Sequence, residues 1–596
     1  MTAETLTRTP VTSPFYRTRG PSNASVMVVG EAFGADEDRH SKPFVGASGQ
    51  ELNRMLTAAG IDPETCIFTN VVNARPERND FTRFLISNSS AKKLSRFQDV
   101  YPNAQLSCGI QSLHELIRMV KPSIIISLGN WALWALTNKA RVKTEKGYRK
   151  ALGIDSMRGS MYRYEHGGLS IPVLPTYHPA AIFRNWSYRH IAIQDLRKVT
   201  QFLAGTRPWS DPRTFNWEIA PGPANVRKWV DRVLATADDK IELTLDLETF
   251  RGLIHIFGVK HGDSCLCIPF FHIRGQVKNP STTPVYSRNS HIAIWLQLRR
   301  LLTDPRVTLV GQNLVFDAQY LAYWFAYKPK IHFDTMIAQH ICFKAERKSL
   351  DFMASIYCTF YEYWKDDRKT SIVNESTKLA CEYNCKDLEY THEITTVLCR
   401  VLTDLDAWKL FHERIHLTHI LLDMMYRGVR MDSRRRITHK IELELEIGRV
   451  IEWLEGAIPD NLKPPTSKSG VRWWASSSQL MTLLYDTMKL NPVRDKKTGN
   501  RTLAKDAMEI LSERYPGFRA LFGMIVILRS MNTIHNNLLK KYIDPDGRVR
   551  CAYNPVGTKS DRLSSSENVF DRGFNLQNIL RTRDPINPFT AIEELT

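Results

Sequence analysis

No apolar run in this 596-residue chain approaches the ~20 residues that a membrane-spanning helix needs. The opening stretch, MTAETLTRTPVTSPF, lacks the apolar core of a secretory signal, and a frayed tail is expected there. Framework spacing is missing from its ten cysteines. Cys265 and Cys267 alternate as on a strand, Cys381 and Cys385 sit one helical turn apart, and neither pair has a second pair at zinc-ligand spacing. A disulfide scaffold and a zinc ribbon are thereby excluded, and reduced, mostly buried thiols in a cytoplasm are expected. Internal repeats and low-complexity tracts are absent too. Acidic residues are the scarcer charge: 62 Asp and Glu against 81 Lys and Arg leave +19. The basic residues are spread along the chain, so the excess reads either as a surface for a polyanionic partner built into folded domains or as the charge of a merely soluble cationic protein.

What is present falls into three blocks. Residues 24–32 (ASVMVVGEA), 123–129 (SIIISLG) and 171–176 (IPVLPT) read as buried strands, with helical stretches at Gly49–Ala59 and Leu113–Val120 between them. Strands alternating with helices predict an α/β domain with a mainly parallel sheet over 1–205. From Gly205 to Pro223 the Pro, Trp and Gly residues show little periodicity, and a linker is placed at 206–225. A second α/β block, 226–405, opens with IELTLDLETF, LIHIFGV and SCLCIPF as an antiparallel meander. The strand VTLVGQN (307–313) follows, then helices near 315–326, 334–343 and 375–400. From 406 to 596 amphipathic helical patterns dominate, at 412–427, 434–457, 478–488, 503–512 and 520–541, with basic loops such as Arg494–Arg501.

Asp246 and Glu248 are two residues apart on a predicted strand and therefore share a face. Carboxylates on an otherwise apolar strand are costly unless they bind metal or pair with cations. Asp317 follows a strand at the start of a helix, and Tyr383 and Asp387 form an i, i+4 pair on another. Phosphodiester hydrolysis by two divalent ions needs such a convergent set, and all-oxygen ligation matches Mg²⁺ or Mn²⁺.

LDLET, GQNLVFD and YNCKD, in this order, resemble the three exonuclease motifs of the DEDD superfamily. Tyr383, four residues before the last Asp, resembles the tyrosine subtype of the proofreading domains of family A DNA polymerases. The resemblance implies an RNase H-like 3′→5′ exonuclease with two metal ions. In it Asp246 bridges both metals, Glu248 orients the attacking water, and Asp317 and Asp387 support the outer and inner metal. Tyr383 positions the nucleophile, and Asn313 and Thr249 help to hold the terminal nucleotide. Asp334–Thr335 also resembles a family feature and is read as structural.

GEAFGADEDRHSKPFVGASGQELNRML, FTNVVNARP and TYHPAAIFR resemble the motifs of the family 4 uracil-DNA glycosylases. The resemblance implies that Phe44 stacks on a flipped uracil, Asn70 reads its amide edge, and His178 stabilises the departing base. Glu31 and Glu37 match the acidic residues near the sugar and attacking water. Ile182, Phe183 and Arg184 lie where the family places a wedge beside the backbone. Phe33 stands where the family has Pro. Of the four cysteines that hold an iron–sulfur cluster in many relatives only Cys108 matches, so no cluster is expected. Two readings stay open: hydrolysis of the uracil N-glycosidic bond, or a retained fold serving as a DNA-binding or scaffold module.

LLDMMYRGVRMD (421–432), WWASSSQLMTLLYD (473–486) and GNRTLAKDAMEIL resemble the opening of the polymerase region and the thumb of family A DNA polymerases. RLSSSENVFDRGFNLQNIL (562–580) resembles their RLSSxxPNLQNIP segment with a short insertion. This implies primer–template contacts from Arg562, Asn575, Gln577 and Asn578. The palm carboxylates are expected to lie elsewhere, on a second polypeptide or on a part removed by shortening. The expectation is thus a multidomain α/β protein with a glycosylase-like domain, an exonuclease and a mostly helical thumb with the start of the palm. Its partners are DNA, as primer–template and single-stranded 3′ ends, and no membrane. The competing readings are a non-catalytic DNA-binding or uracil-sensing subunit and a stand-alone repair nuclease–glycosylase.

Overall fold

The computed structural model describes residues 15–86, 97, 100–137, 141–145, 148–274, 280–367, 376–465, 472–496 and 498–578. The expected frayed tail and the end of the RLSS segment, Ile579 and Leu580, lie outside the described residues. The chain divides into two compact units, Met1–Leu314 with Pro329–Phe411, and Val315–Lys328 with His412–Thr596.

The first unit holds two large sheets, besides two-stranded ones. The strands of the first are β1 (Val26–Ala32), β2 (Cys66–Val72), β3 (Ile124–Leu128), β4 (Tyr162–His166) and β5 (Leu169–Thr176), in the order β2-β1-β3-β5-β4. All neighbours are parallel except β4 on β5. The near-continuous apolar runs of β1, β2 and β3 are what a parallel sheet covered on both faces requires. The helix Ala104–Val120 starts well before the expected Leu113, because the Asn103 side chain accepts from the Leu106 N–H and caps it there. Its Leu106, Ile110, Leu113, Ile117 and Val120 form one buried face.

The second sheet comprises β6 (Asn216–Ile219), β7 (Ile241–Phe250), β8 (Leu253–His261), β9 (Ser264–Pro269), β10 (Val307–Gly311) and β11 (Ile331–Asp334), in the order β6-β9-β8-β7-β10-β11. β7, β8 and β9 form the expected antiparallel meander, and β10 runs parallel to β7. One expectation is corrected. The second half of the supposed linker is strand β6, paired with β9, and its Trp217 and Ile219 pack on Ile256, Cys267, Ala380, Cys381 and Cys385. A four-residue strand carries too little alternation to stand out among Pro and Gly. The cysteine pairs also meet in space. Cys267 Sγ donates to the Cys381 carbonyl at 3.7 Å, and burial pushes the Cys265 and Cys267 thiols far above their ordinary range, as suits protonated core residues.

The two modules of this unit share a buried polar seam. The fully buried Arg158 donates from Nε to Asp195 at 2.7 Å and from Nη1 to Ser355 Oγ at 2.9 Å. Lys198 Nζ donates to the Gly159 and Ser355 carbonyls, each at 2.6 Å.

The second unit is helical. Ser433–Ala457, Lys505–Arg514 and Arg519–Ile534 enclose a core that includes Val450, Leu454, Leu483, Phe522 and Ile525. By length and composition alone the helical stretch Pro516–Leu539 could cross a membrane, which corrects the expectation that no stretch qualifies. Its Leu521, Phe522, Met524, Ile525, Leu528 and Met531 are buried in this unit's core.

Candidate functional site

Asp246 and Glu248 leave β7 on the same face, and Asp387 reaches them from the helix Thr377–Asp404. The carboxylate oxygens of the three lie within 4.8 Å of one another. No other group of three or more potential metal ligands occurs among the described residues. Asp246 is paired across the ladder with Gly258, and that glycine makes room for the buried Asn384. Asn384 Nδ2 donates to Asp246 Oδ2 at 2.6 Å and to the Asp246 carbonyl at 3.2 Å, which fixes the carboxylate's direction. The register of β7 on β8 shifts between Glu248 and Thr249, and a bulge of this kind re-aims the residues after it.

Asp387 is further engaged. The Trp364 indole N–H donates to its Oδ1 at 2.6 Å, and Lys365 Nζ donates to both oxygens and to the Tyr383 hydroxyl. Burial, and then the charges of Asp387, Glu248 and Asp246, raise the Tyr383 phenol far above its ordinary range, so it keeps its proton at neutral pH. Sequence reasoning missed Asn384, Trp364 and Lys365. Asn384 lies inside YNCKD and was within reach; Trp364 and Lys365 stand in no motif.

Asp334 is structural, as read from the sequence. Fully buried, it accepts from the N–H groups of Asn313, Leu314, Met336 and Ile337, at 3.2, 2.8, 2.9 and 3.3 Å. Burial pushes its carboxyl up to about 6 against the pull of those four donors. This network holds Asn313 in the left-handed region, at φ 58°, a conformation that Asn tolerates. Asp317 is buried on the helix Leu314–Phe325 and is not one of the three converging carboxylates. From Val315 on, this helix packs within the second unit, where Phe570 lies 4.9 Å from the Tyr320 ring and 4.8 Å from the Tyr323 ring.

The first module has its own cleft, a cavity of about 750 Å³ at the carboxyl ends of β1 and β5. Glu31, Glu37, Phe44, Asn70, His178 and Arg184 all line it. Two glycines make the geometry possible. A Cβ at Gly30 would lie 2.3 Å from Asn70 Oδ1 and 2.6 Å from Phe44 Cζ. At Gly129, with φ +86°, it would lie 2.5 Å from Glu31 Oε1. Glu31 accepts from the Trp131 N–H at 3.1 Å. Glu37 accepts from the N–H groups of Gly34 and Gly46, each at 3.1 Å, and so clamps the two arms of its loop together. Phe33 is buried, and its N–H donates to the Ala74 carbonyl at 3.3 Å, a bond that proline cannot make. His178 Nδ1 accepts from the Ala180 N–H at 3.2 Å, which leaves the proton on Nε2. Burial, with Arg184 adding to it, pushes the imidazole down to about 4, so the ring is neutral near pH 7.

The expected wedge is corrected in part. Ile182 is fully buried, because the helix Pro179–Arg184 turns it into the core, and it cannot reach DNA; Phe183 is 52% exposed. Cys108 is exposed on its helix. In the second unit Arg562 and Gln577 are exposed. Asn575 Oδ1 accepts from Ser565 Oγ and from the Gln577 N–H, and Asn578 lies in the short turn Leu576–Asn578. The inserted residues form a loop closed by Asn568 Oδ1, which accepts from the Phe570 and Arg572 N–H groups at 3.0 and 3.1 Å.

Comparison with known proteins matches two families along the chain. Residues 18–203 match the uracil DNA glycosylase superfamily, and residues 271–403, which include Asp317, Tyr383 and Asp387, match a 3′-5′ exonuclease family. A type-4 uracil-DNA glycosylase of Saccharolobus solfataricus is 33% identical over 186 residues, which make up 31% of this chain and 74% of that protein. A DNA polymerase of Bacillus phage SP01 is 23% identical over 92% of this chain and 62% of its own length. The thermostable DNA polymerase I of Thermus filiformis is 31% identical over 27% of this chain and 18% of its own. The chain thus spans less than two thirds of either polymerase.

Proposed function

We propose, from the premise that this chain belongs through residues 18–203 to the uracil-DNA glycosylase superfamily, that it is a DNA-replication protein of the family A polymerase kind. In this reading its 3′→5′ exonuclease trims mispaired primer ends, and its first module takes up uracil. The observation that carries the nuclease is the meeting of Asp246, Glu248 and Asp387 beside the Tyr383 hydroxyl.

An all-oxygen donor set of this kind suits hard divalent ions, Mg²⁺ or Mn²⁺, held by Asp246, Glu248 and Asp387, with Asp317 as the fourth ligand by its motif. When bound, such ions offset the phosphodiester's charge and ease the generation of hydroxide from water. The rest falls to the chain. Asn384 holds the Asp246 carboxylate in one orientation. Glu248 accepts a proton of the attacking water, and the protonated Tyr383 hydroxyl fixes that water in line with the phosphorus. Thr249 and Asn313 hold the terminal nucleotide. The excess of basic residues grips the DNA phosphates, so binding weakens steeply with salt.

In the first module Phe44 stacks on an extruded uracil and Asn70 pairs with its amide edge. Neutral His178 donates from Nε2 to the base oxygen on which negative charge develops as the N-glycosidic bond breaks. Glu31 orients the water that attacks the sugar. Arg562, Asn575, Gln577 and Asn578 meet primer–template, with Phe183 and Arg184 beside the uracil-bearing backbone.

A 5′-labelled primer–template with one uracil, incubated with Mg²⁺ and then treated with alkali, tests both halves. A ladder of shortened primers supports the exonuclease, and an intact primer refutes it. An alkali-labile break at uracil makes the first module a working glycosylase; without one, excision is withdrawn and gel-shift competition with uracil-bearing DNA tests uptake alone.

A further inference from the structure

Lys365 belongs to none of the motifs, yet it lies among the exonuclease carboxylates. Its Nζ donates to Asp387 Oδ1 and Oδ2 at 2.9 and 2.8 Å and to the Tyr383 hydroxyl at 3.0 Å. Its ammonium also lies over two rings, 4.9 Å from the Trp364 centroid and 5.0 Å from that of Tyr383. Three clustered carboxylates repel one another unless a cation offsets them, and this ammonium supplies one positive charge. Both Asp387 oxygens accept from it, so a divalent ion that uses those oxygens takes the ammonium's place.

The lysine is held from behind. Four residues earlier the fully buried Tyr361 accepts at its carbonyl from the Met161 N–H at 2.7 Å, and its hydroxyl donates to the Ser156 carbonyl at 3.0 Å. Arg207 donates to the carbonyls of Cys358 and Thr359, at 3.0 and 2.5 Å. Ser156 and Met161 lie between β3 and β4, and Arg207 follows the helix Tyr188–Leu203, so they belong to the first module or its C-terminal edge. The segment 358–365 is therefore a strap, anchored on the glycosylase-like module at one end and ending in the metal site at the other.

We propose that Lys365 is the resident counter-cation of the exonuclease carboxylates, that a divalent ion enters by displacing it, and that the strap sets how readily it leaves. The inference rests on the exonuclease reading above. It assigns Lys365 a positioning role and gives the first module a part in metal loading whether or not it excises uracil.

The test is a Mn²⁺ titration of the full chain, with free Mn²⁺ read by electron paramagnetic resonance. Lys365→Gln is expected to bind Mn²⁺ about tenfold more tightly than wild type, because the competing charge is gone. Lys365→Arg, which keeps the charge, stays within about twofold of wild type. Tyr361→Phe, which loses only the hydroxyl to Ser156, tightens binding by about two- to threefold. A misfolded variant cannot mimic tighter binding. Asp246→Ala separates the two readings. If wild type shows no Mn²⁺ site that depends on Asp246, the exonuclease reading fails. If it does and Lys365→Gln binds no tighter, or Lys365→Arg tightens as much as Gln, the counter-cation is wrong. Wild-type affinity in Tyr361→Phe overturns the anchoring role of the strap.

Discussion

Gly258→Ala is a one-carbon change on a strand that carries no catalytic group, and it is expected to disable the nuclease. The added Cβ would lie 1.9 Å from Asn384 Oδ1, 2.7 Å from its Cγ and 2.9 Å from Nδ2. Asn384 is wholly buried. Its amide must move by about 1 Å or more to restore ordinary contact, which breaks the 2.6 Å bond to Asp246 Oδ2. Overpacking costs about 1–3 kcal/mol, and a lost hydrogen bond to the half-buried Asp246 carboxylate about 1.5–3 kcal/mol. A loss of about 3–5 kcal/mol in stability follows. Under the proposed function, misplacing the Asp246 carboxylate by that distance lowers the trimming rate about a hundredfold. Thermal denaturation and single-turnover degradation of a 5′-labelled strand measure the two effects. Gly258→Ala/Asn384→Ala separates them: the clash is relieved and part of the stability returns, while the rate stays low. Wild-type trimming in the single variant, or a double variant less stable than the single, would refute the reasoning.

Arg158→Met strands Asp195 without its buried partner and is expected to cost about 3–5 kcal/mol, read by chemical denaturation; a loss below about 1 kcal/mol would contradict the seam. His178, held near 4 in the folded state against about 6.5 when unfolded, gives a stabilisation present above pH 6.5. It is lost as pH falls from there to about 4, and His178→Gln removes that part of the slope in a stability–pH profile. Phe33→Pro deletes the N–H that bonds Ala74 and costs about 1–3 kcal/mol of stability, seen as a lower Tm. Gly129→Ala meets Glu31 and strains a positive φ; uracil-bearing DNA is expected to lose its binding advantage over unmodified DNA in gel-shift competition.

Much of this was legible because its signals are short in sequence. Alternation put Asp246 and Glu248 on one face, helical spacing paired Tyr383 with Asp387, and the long apolar strands and amphipathic helices fell close to where they occur. What escaped depends on contacts far apart in the chain. Lys365 meets Asp387 only because the strap folds back, and Gly258 matters only through the side chain of a distant helix. Strand β6 was hidden because four residues beside Pro and Gly carry no period. Ile182 was misplaced because a six-residue helix does not reveal which side faces the core. The grouping of Asp317's helix with the second unit follows from aromatic contacts to an insertion 250 residues away, a distance at which spacing says nothing.

The most direct test of the central claim compares wild type with Asp246→Ala on single-stranded DNA labelled at its 5′ end, with Mg²⁺ and with a chelator. The account predicts a stepwise ladder from the 3′ end for wild type with Mg²⁺ and none with the chelator. The variant is expected to be slower by about a thousandfold or more while binding the strand at least as well. Equal degradation by both proteins, or a wild type that leaves the strand intact with Mg²⁺, would contradict it.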